Sequence, residues 1–169
     1  MLPENHFRKV QKIMARKNYG KDFENHFYND FRKRFPNEFI LRLKDDVSQY
    51  KSAARNPCDF ICHLDGTIYM IEAKCHYGNT FPFSALSQFD ALNGDWCGLK
   101  DVKRVVVIWM IDHDLVLAAP IREIAKMKKD GLVSINVKTY KKYNILELDS
   151  IKKRVFLEVD YSKLNELED

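Results

Sequence analysis

Residues 57–74, PCDFICHLDGTIYMIEAK, constrain this chain more than any other stretch. Two runs of β-branched and aromatic residues flank Asp65-Gly66, a dipeptide suited to the two central positions of a tight hairpin turn. With those residues in the turn the register follows. Leu64 lies opposite Thr67, His63 opposite Ile68, Ile61 opposite Met70, and Asp59 opposite Glu72. Opposed residues share a face, with Cβ atoms roughly 4.5–5.5 Å apart. Lys74, two residues beyond Glu72, falls on that face as well, because side-chain direction repeats every second residue.

The pattern therefore gathers two carboxylates and an ammonium at the open end of one hairpin. Like charges directly opposite each other destabilise a sheet. A divalent cation between them removes the repulsion, and Mg²⁺ is held by one or two carboxylates with water and substrate phosphate. Such a cation orients a water, lowers its pKa and neutralises charge building on a phosphate. Lys74 then either steadies that charge or holds the attacking water. The plainer alternative is a charged hairpin end relieved by a Lys74 salt bridge.

The triad Asp59, Glu72 and Lys74, with Pro57 ahead of it and Glu-Ala-Lys closing it, resembles the PD-(D/E)xK nuclease signature. More narrowly, the chain is similar to the RecU-like Holliday junction resolvases and related phage proteins. The resemblance also takes in Gly20-Lys21-Asp22-Phe23-Glu24, Phe81-Pro82-Phe83, Ser87-Gln88 and Gly131-Leu132-Val133-Ser134-Ile135, and it runs from about residue 18 to about residue 140. It implies a metal site built from Asp59 and Glu72, with Glu24 as a third carboxylate from an N-terminal helix and the Ala73 carbonyl as an extra ligand. It also implies that Gln88 assists at the phosphate or the water. Mg²⁺ is the implied cofactor, with Mn²⁺ able to substitute, and branched DNA is the implied partner. A homodimer follows, because cutting two symmetric strands calls for two sites related by a twofold axis. Members of that family carry a longer stalk near the sheet; residues 44–56 are short by comparison, which bears on junction preference and not on the hydrolysis.

One chain of 169 residues suits one well-cored domain. Its 46% hydrophobic and 31% charged residues are those of a globular protein. No apolar run approaches the roughly 20 residues of a membrane span, and the first residues do not open a signal peptide, so no membrane partner and a cytoplasmic location are expected. Four cysteines at uneven spacing fit a reducing compartment. The net charge of +4 is unevenly distributed. Lys9, Lys12, Arg16, Lys17 and Lys21 form an early basic cluster that suits a phosphate backbone, whose contacts give affinity without reading sequence. A second basic group lies between Lys126 and Lys142, and the last dozen residues turn acidic. Each basic group also reads as an ordinary solvated helix face.

Hydrophobic spacing places an amphipathic helix over about 4–17 and another over about 21–34, the second carrying Phe23, Phe27 and Phe31. Glu24 there has a plainer reading, a first-turn acid favoured by the helix dipole. Strands are expected at 39–43 and 102–111, the latter a continuous apolar run suited to burial on both faces. A further strand at 115–119 precedes a helix at 121–129 that Gly131 ends. Ser84 is expected to cap a helix carrying Leu86, Gln88, Phe89 and Leu92. Short strands follow near 133–137, 143–147 and 155–159, and then an acidic tail.

A zinc site is the main rival chemistry, since Cys58, Cys62, His63, Cys75, His76 and Cys97 are all ligand types. The hairpin register, however, turns Cys58 and Cys62 away from Asp59, and no closely paired C-x2-C is present. No Gly-rich phosphate loop occurs, which argues against an ATPase or kinase. The expectation is a single α/β domain over 1–169, with a mixed, mainly antiparallel sheet flanked by helices and a restriction-endonuclease-like core. The expected activity is Mg²⁺-dependent hydrolysis of DNA phosphodiesters, most specifically in Holliday junctions. The alternatives are a repair, restriction or phage DNA-processing nuclease without junction preference, and a DNA-binding module without turnover.

Overall fold

The computed structural model describes residues 19–43, 56–94, 101–152 and 157–167. The expected helix at 4–17, the segment 44–55 and Cys97 lie outside them, as do Lys9, Lys12, Arg16 and Lys17. The first described element is helix α1, Gly20–Arg34. Phe23, Phe27 and Phe31 recur every fourth residue and are all buried, so they form one apolar stripe. Asp22 in the first turn and Arg32, Lys33 and Arg34 in the last complement the helix dipole.

Strands β1 (Ile40–Arg42), β2 (Phe60–Leu64) and β3 (Thr67–His76) follow. The β2–β3 hairpin has the expected register, with Leu64 opposite Thr67 and Ile61 opposite Met70. Asp65 and Gly66 take positive φ values of 48° and 81°, the twist that joins two strands through two residues. After β4 (Thr80–Pro82) and helix α2 (Phe89–Asn93), strand β5 (Val102–Met110) runs parallel to β3 over its whole length. Strand β6 (Leu115–Pro120) returns antiparallel to β5, and helix α3 (Ile121–Lys129) leaves it. Strand β7 (Ser134–Asn136) pairs with β4, and β8 (Leu146–Leu148) closes the far edge of the main sheet. The order β1-β2-β3-β5-β6-β8 has one parallel junction, β3 with β5, and is otherwise antiparallel. The mixed, mainly antiparallel sheet is as expected.

Strand period two divides the core. Val105, Val107 and Trp109 point to the α1 face, where they join Phe23, Phe27, Phe60 and Ile71. Val106, Ile108 and Met110 point to the other face, with Ile121, Ile124 and Met127 of α3. Each fully buried large side chain contributes about 1.5–3 kcal/mol. This double burial is why the run at β5 shows no polar alternation.

Two expectations change. The segment 83–93 is not one helix capped by Ser84. A 3₁₀ turn, Phe83–Ala85, closes when the Leu86 amide donates to the Phe83 carbonyl, and α2 starts only at Phe89. Phe83 and Leu86 both enter the core. The residues beyond 159 are also more than an acidic tail. Strands β9 (Ser150–Lys152) and β10 (Leu157–Val159) lead to a 3₁₀ helix, Tyr161–Glu166, whose Tyr161 and Leu164 are fully buried beside Phe27. Its polar residues face out and its apolar ones face in, so composition alone conceals the packing. Asn165 accepts from the Tyr69 hydroxyl and donates to Asp65 at the hairpin turn, while the Val159 amide donates to Asp30 on α1. No helix among the described residues is long and apolar enough to cross a membrane.

Candidate active site

The hairpin positions the carboxylates. Asp59 stands just ahead of β2, where its amide donates to the Ile71 carbonyl at 3.0 Å. Its Oδ2 accepts from the Ala73 amide at 2.8 Å, so a side chain makes a contact next to the strand ladder. Glu72 and Lys74 sit two residues apart on β3, on the face of Met70 and Val106. Lys74 Nζ lies 2.7 Å from Glu72 Oε1. Glu72 Oε2 is buried with no hydrogen-bond partner.

Glu72 is only 1% exposed. Burial first, and then the Asp59 charge, raise its carboxyl to about 7, against the lowering effect of Lys74. Burial would lower the Lys74 ammonium, but Glu72, Asp59 and Glu24 more than offset it and raise its pKa. A buried carboxylate facing a second one is a costly arrangement in a purely structural role.

Glu24 is on α1, and its Oε2 accepts from Arg42 Nη2 at 2.6 Å. Arg42 also donates to Asn25 and stands 5.8 Å over the Phe60 ring. Glu24 is near enough to act electrostatically on Glu72 and Lys74, as the smallest of their named influences. No group of three or more His, Cys, Asp and Glu side chains converges as a metal centre among the described residues. The structure thus brings Asp59, Glu72 and Lys74 together and ties Glu24 to Arg42. Arg42 was not singled out from sequence; the signal for it is a lone cation ending an apolar strand, in register with Phe60 next to Asp59.

Gln88 precedes α2, and its side-chain Oε1 is buried without a hydrogen-bond partner. Arg104 Nη1 donates to the carbonyls of Leu92 and Gly94 and so pins the end of that helix to the sheet. Lys21 is exposed in the first turn of α1. Cys62 faces the α1 side, as the register requires. Cys58 does not turn away from the carboxylates, because it precedes the ladder and packs with Met70 and Val106. Burial, followed by the charges of Glu72 and Asp59, pushes its thiol up to about 12, which disfavours the thiolate that zinc needs.

The donor set suits a hard cation. Two carboxylates and a backbone carbonyl are oxygen ligands of the kind Mg²⁺ and Mn²⁺ accept. The partnerless buried oxygen of Glu72 is a feature that such a cation would satisfy. Because Mg²⁺ keeps several waters, two protein carboxylates are enough.

No family model and no curated protein matches the chain. The sheet order, with helices on both faces, is a resolvase- and restriction-endonuclease-like fold. Among solved structures the chain is similar to Hjc, a Holliday junction resolvase from the archaeal hyperthermophile Archaeoglobus fulgidus. The TM-score is 0.51 at 17% identity, over 73% of this chain and 93% of that one. The likeness establishes the fold and does not single out the RecU family.

Proposed function

We propose that this chain is a Mg²⁺-dependent endonuclease that hydrolyses phosphodiester bonds in branched DNA, with the Holliday junction as its substrate. The observation that carries the reading is the Glu72 carboxyl, raised in pKa by burial and then by the Asp59 charge and flanked by Lys74, on a resolvase-like sheet. Asp59 and Glu72 would hold the cation with the Ala73 carbonyl, and Glu24 would complete the site. When bound, Mg²⁺ lowers the pKa of a water and neutralises charge on the phosphate.

The chain's own groups do the remaining work. The Ala73 amide fixes the Asp59 carboxylate. Glu72 holds the Lys74 ammonium, which orients the attacking water or steadies the charge on the phosphoryl oxygens. The water oxygen bonds to phosphorus and loses its proton, one ester P–O bond breaks, and the departing oxygen is protonated. Gln88 assists from the turn before α2. Two symmetric cuts would be made by a homodimer.

The test is cleavage of a four-way junction, a linear duplex and single-stranded DNA, each with Mg²⁺ and with EDTA, by wild type and Asp59→Asn. Paired nicks on the junction alone, absent in EDTA and in the variant, are expected. Equal cutting of all three substrates would keep the nuclease and remove the junction preference. No cutting with any divalent cation would overturn the reading.

A further inference from the structure

A groove that the proposed chemistry does not use lies on the outer face of the β4–β7 ribbon, whose inner face packs beside the end of β3. β3 ends at His76, on the face of Glu72 and Lys74 and about 7 Å beyond Lys74 by strand rise. The His76 ring meets the Phe81 ring edge-on, with centroids 5.8 Å apart. Phe81 belongs to β4, which pairs with β7 through Phe81 and Ile135. The open groove of about 690 Å³ runs beside this ribbon toward the end of α3. Pro82, Phe83, Leu132 and Val133 form its apolar floor and wall, and Thr80, Ser84, Ser134 and Lys128 bring polar groups to it.

Lys128 lines the groove, and the chain on either side of its β7 wall is strongly cationic. Lys126, Lys128 and Lys129 crowd the last turn of α3, and Lys138, Lys141 and Lys142 follow β7. All six are exposed, and none forms an ion pair among the described residues. Only Glu123 and Asp130 oppose them between residues 120 and 145. The helix dipole accounts for cations in the last turn of α3, but it does not reach the three beyond β7. The Lys128 ammonium is held 3.8 Å over the Phe89 ring, which keeps it at the groove.

From this charge and its hydroxyl-bearing groove, we propose a second DNA-contact surface that takes the sugar–phosphate backbone of the arm leading away from the cut. The inference rests on the nuclease reading. Thr80, Ser84 and Ser134 donate to phosphate oxygens, Lys128 neutralises one phosphate, and the neighbouring lysines release counterions along the same strand. Such contacts set the position of the arm without reading its sequence.

The test measures binding of a four-way junction across about 50–200 mM salt, using Asp59→Asn as the parent so that the DNA stays intact. Each lost phosphate contact flattens the log K against log salt slope by about 0.9. Replacing Lys126, Lys128 and Lys129 with Ala flattens it by about 2–3 and weakens binding. Ser134→Glu, which keeps every lysine, weakens binding as well. Arg32→Ala with Lys33→Ala, on α1 across the sheet, keeps the parent slope. An unchanged slope in the lysine variant, or an equal drop per charge in the α1 control, overturns the groove and leaves the nuclease reading standing. A parent protein that binds no DNA overturns both.

Discussion

Glu72 should make the metal-free protein lose stability as pH rises, and Mg²⁺ should reverse the loss. Its carboxyl titrates at about 7 in the folded protein, against an ordinary 4.5. Between those values the folded state keeps a proton that the unfolded chain has released. The folded state therefore binds more protons, and stability falls as pH rises through this window. At about 1.4 kcal/mol per pH unit, the loss is complete above the folded value and amounts to about 3 kcal/mol. For a chain of this length that is about 6–12 °C in Tm. The assay is thermal or urea unfolding of wild type and Glu72→Gln in EDTA, from about pH 5 to about pH 8.5. Histidines titrate in the same range, so the informative quantity is the difference between the two proteins at each pH. Wild type should lose about 3 kcal/mol relative to the variant across the range. Mg²⁺ at a hundredfold excess over its Kd should return about 2.7 kcal/mol to wild type at high pH and nothing to Glu72→Gln. Parallel curves, or a wild type that gains on the variant as pH rises, would refute the electrostatic account of the site.

Asp59→Asn retains an oxygen that can accept from the Ala73 amide, so its stability should change by less than about 1 kcal/mol. Its cleavage rate should still fall about 10³-fold or more, as the loss of a metal ligand implies; undiminished turnover would remove Asp59 from the site. Glu24→Gln should raise the Mg²⁺ concentration for half-maximal cleavage by about tenfold. An unchanged value would leave Glu24 as the partner of Arg42 alone. Tyr161→Ala empties a fully buried position against Phe27 and should cost about 3–5 kcal/mol in chemical denaturation; a cost below about 1 kcal/mol would mean that the C-terminal segment is not part of the core.

The hairpin was legible because one dipeptide controls it. Once Asp65-Gly66 takes positive φ, the facing pairs from Leu64–Thr67 to Phe60–Ile71 follow by counting, and Asp59 stands one residue beyond them. The α1 stripe and the β5 run were legible for a similar reason, since Phe23, Phe27 and Phe31 keep helical spacing and β5 is apolar throughout. The environment of Glu72 was not. Its burial depends on residues far along the chain, among them Val106 beside it in the parallel register, and no local pattern reports that. Arg42 and Arg104 escaped notice because each acts on a partner from another element, Glu24 in one case and the end of α2 in the other. Cys58 was misplaced because alternation was extended two residues beyond the ladder. The last residues looked like a tail because their buried groups, Tyr161, Leu164 and Leu167, are spaced among polar and acidic ones.

That C-terminal segment sets an order of events during synthesis. Tyr69 and Asn165 are 96 positions apart, Asp65 and Asn165 are 100 apart, and Asp30 and Val159 are 129 apart. At about 5–20 residues per second, roughly 5–20 s separates emergence of the hairpin from that of the segment that braces it. During that interval the growing chain has its carboxylates but lacks the layer that seals Phe27 and steadies the turn at Asp65. The hairpin is therefore made early, and the contacts that brace its turn come last.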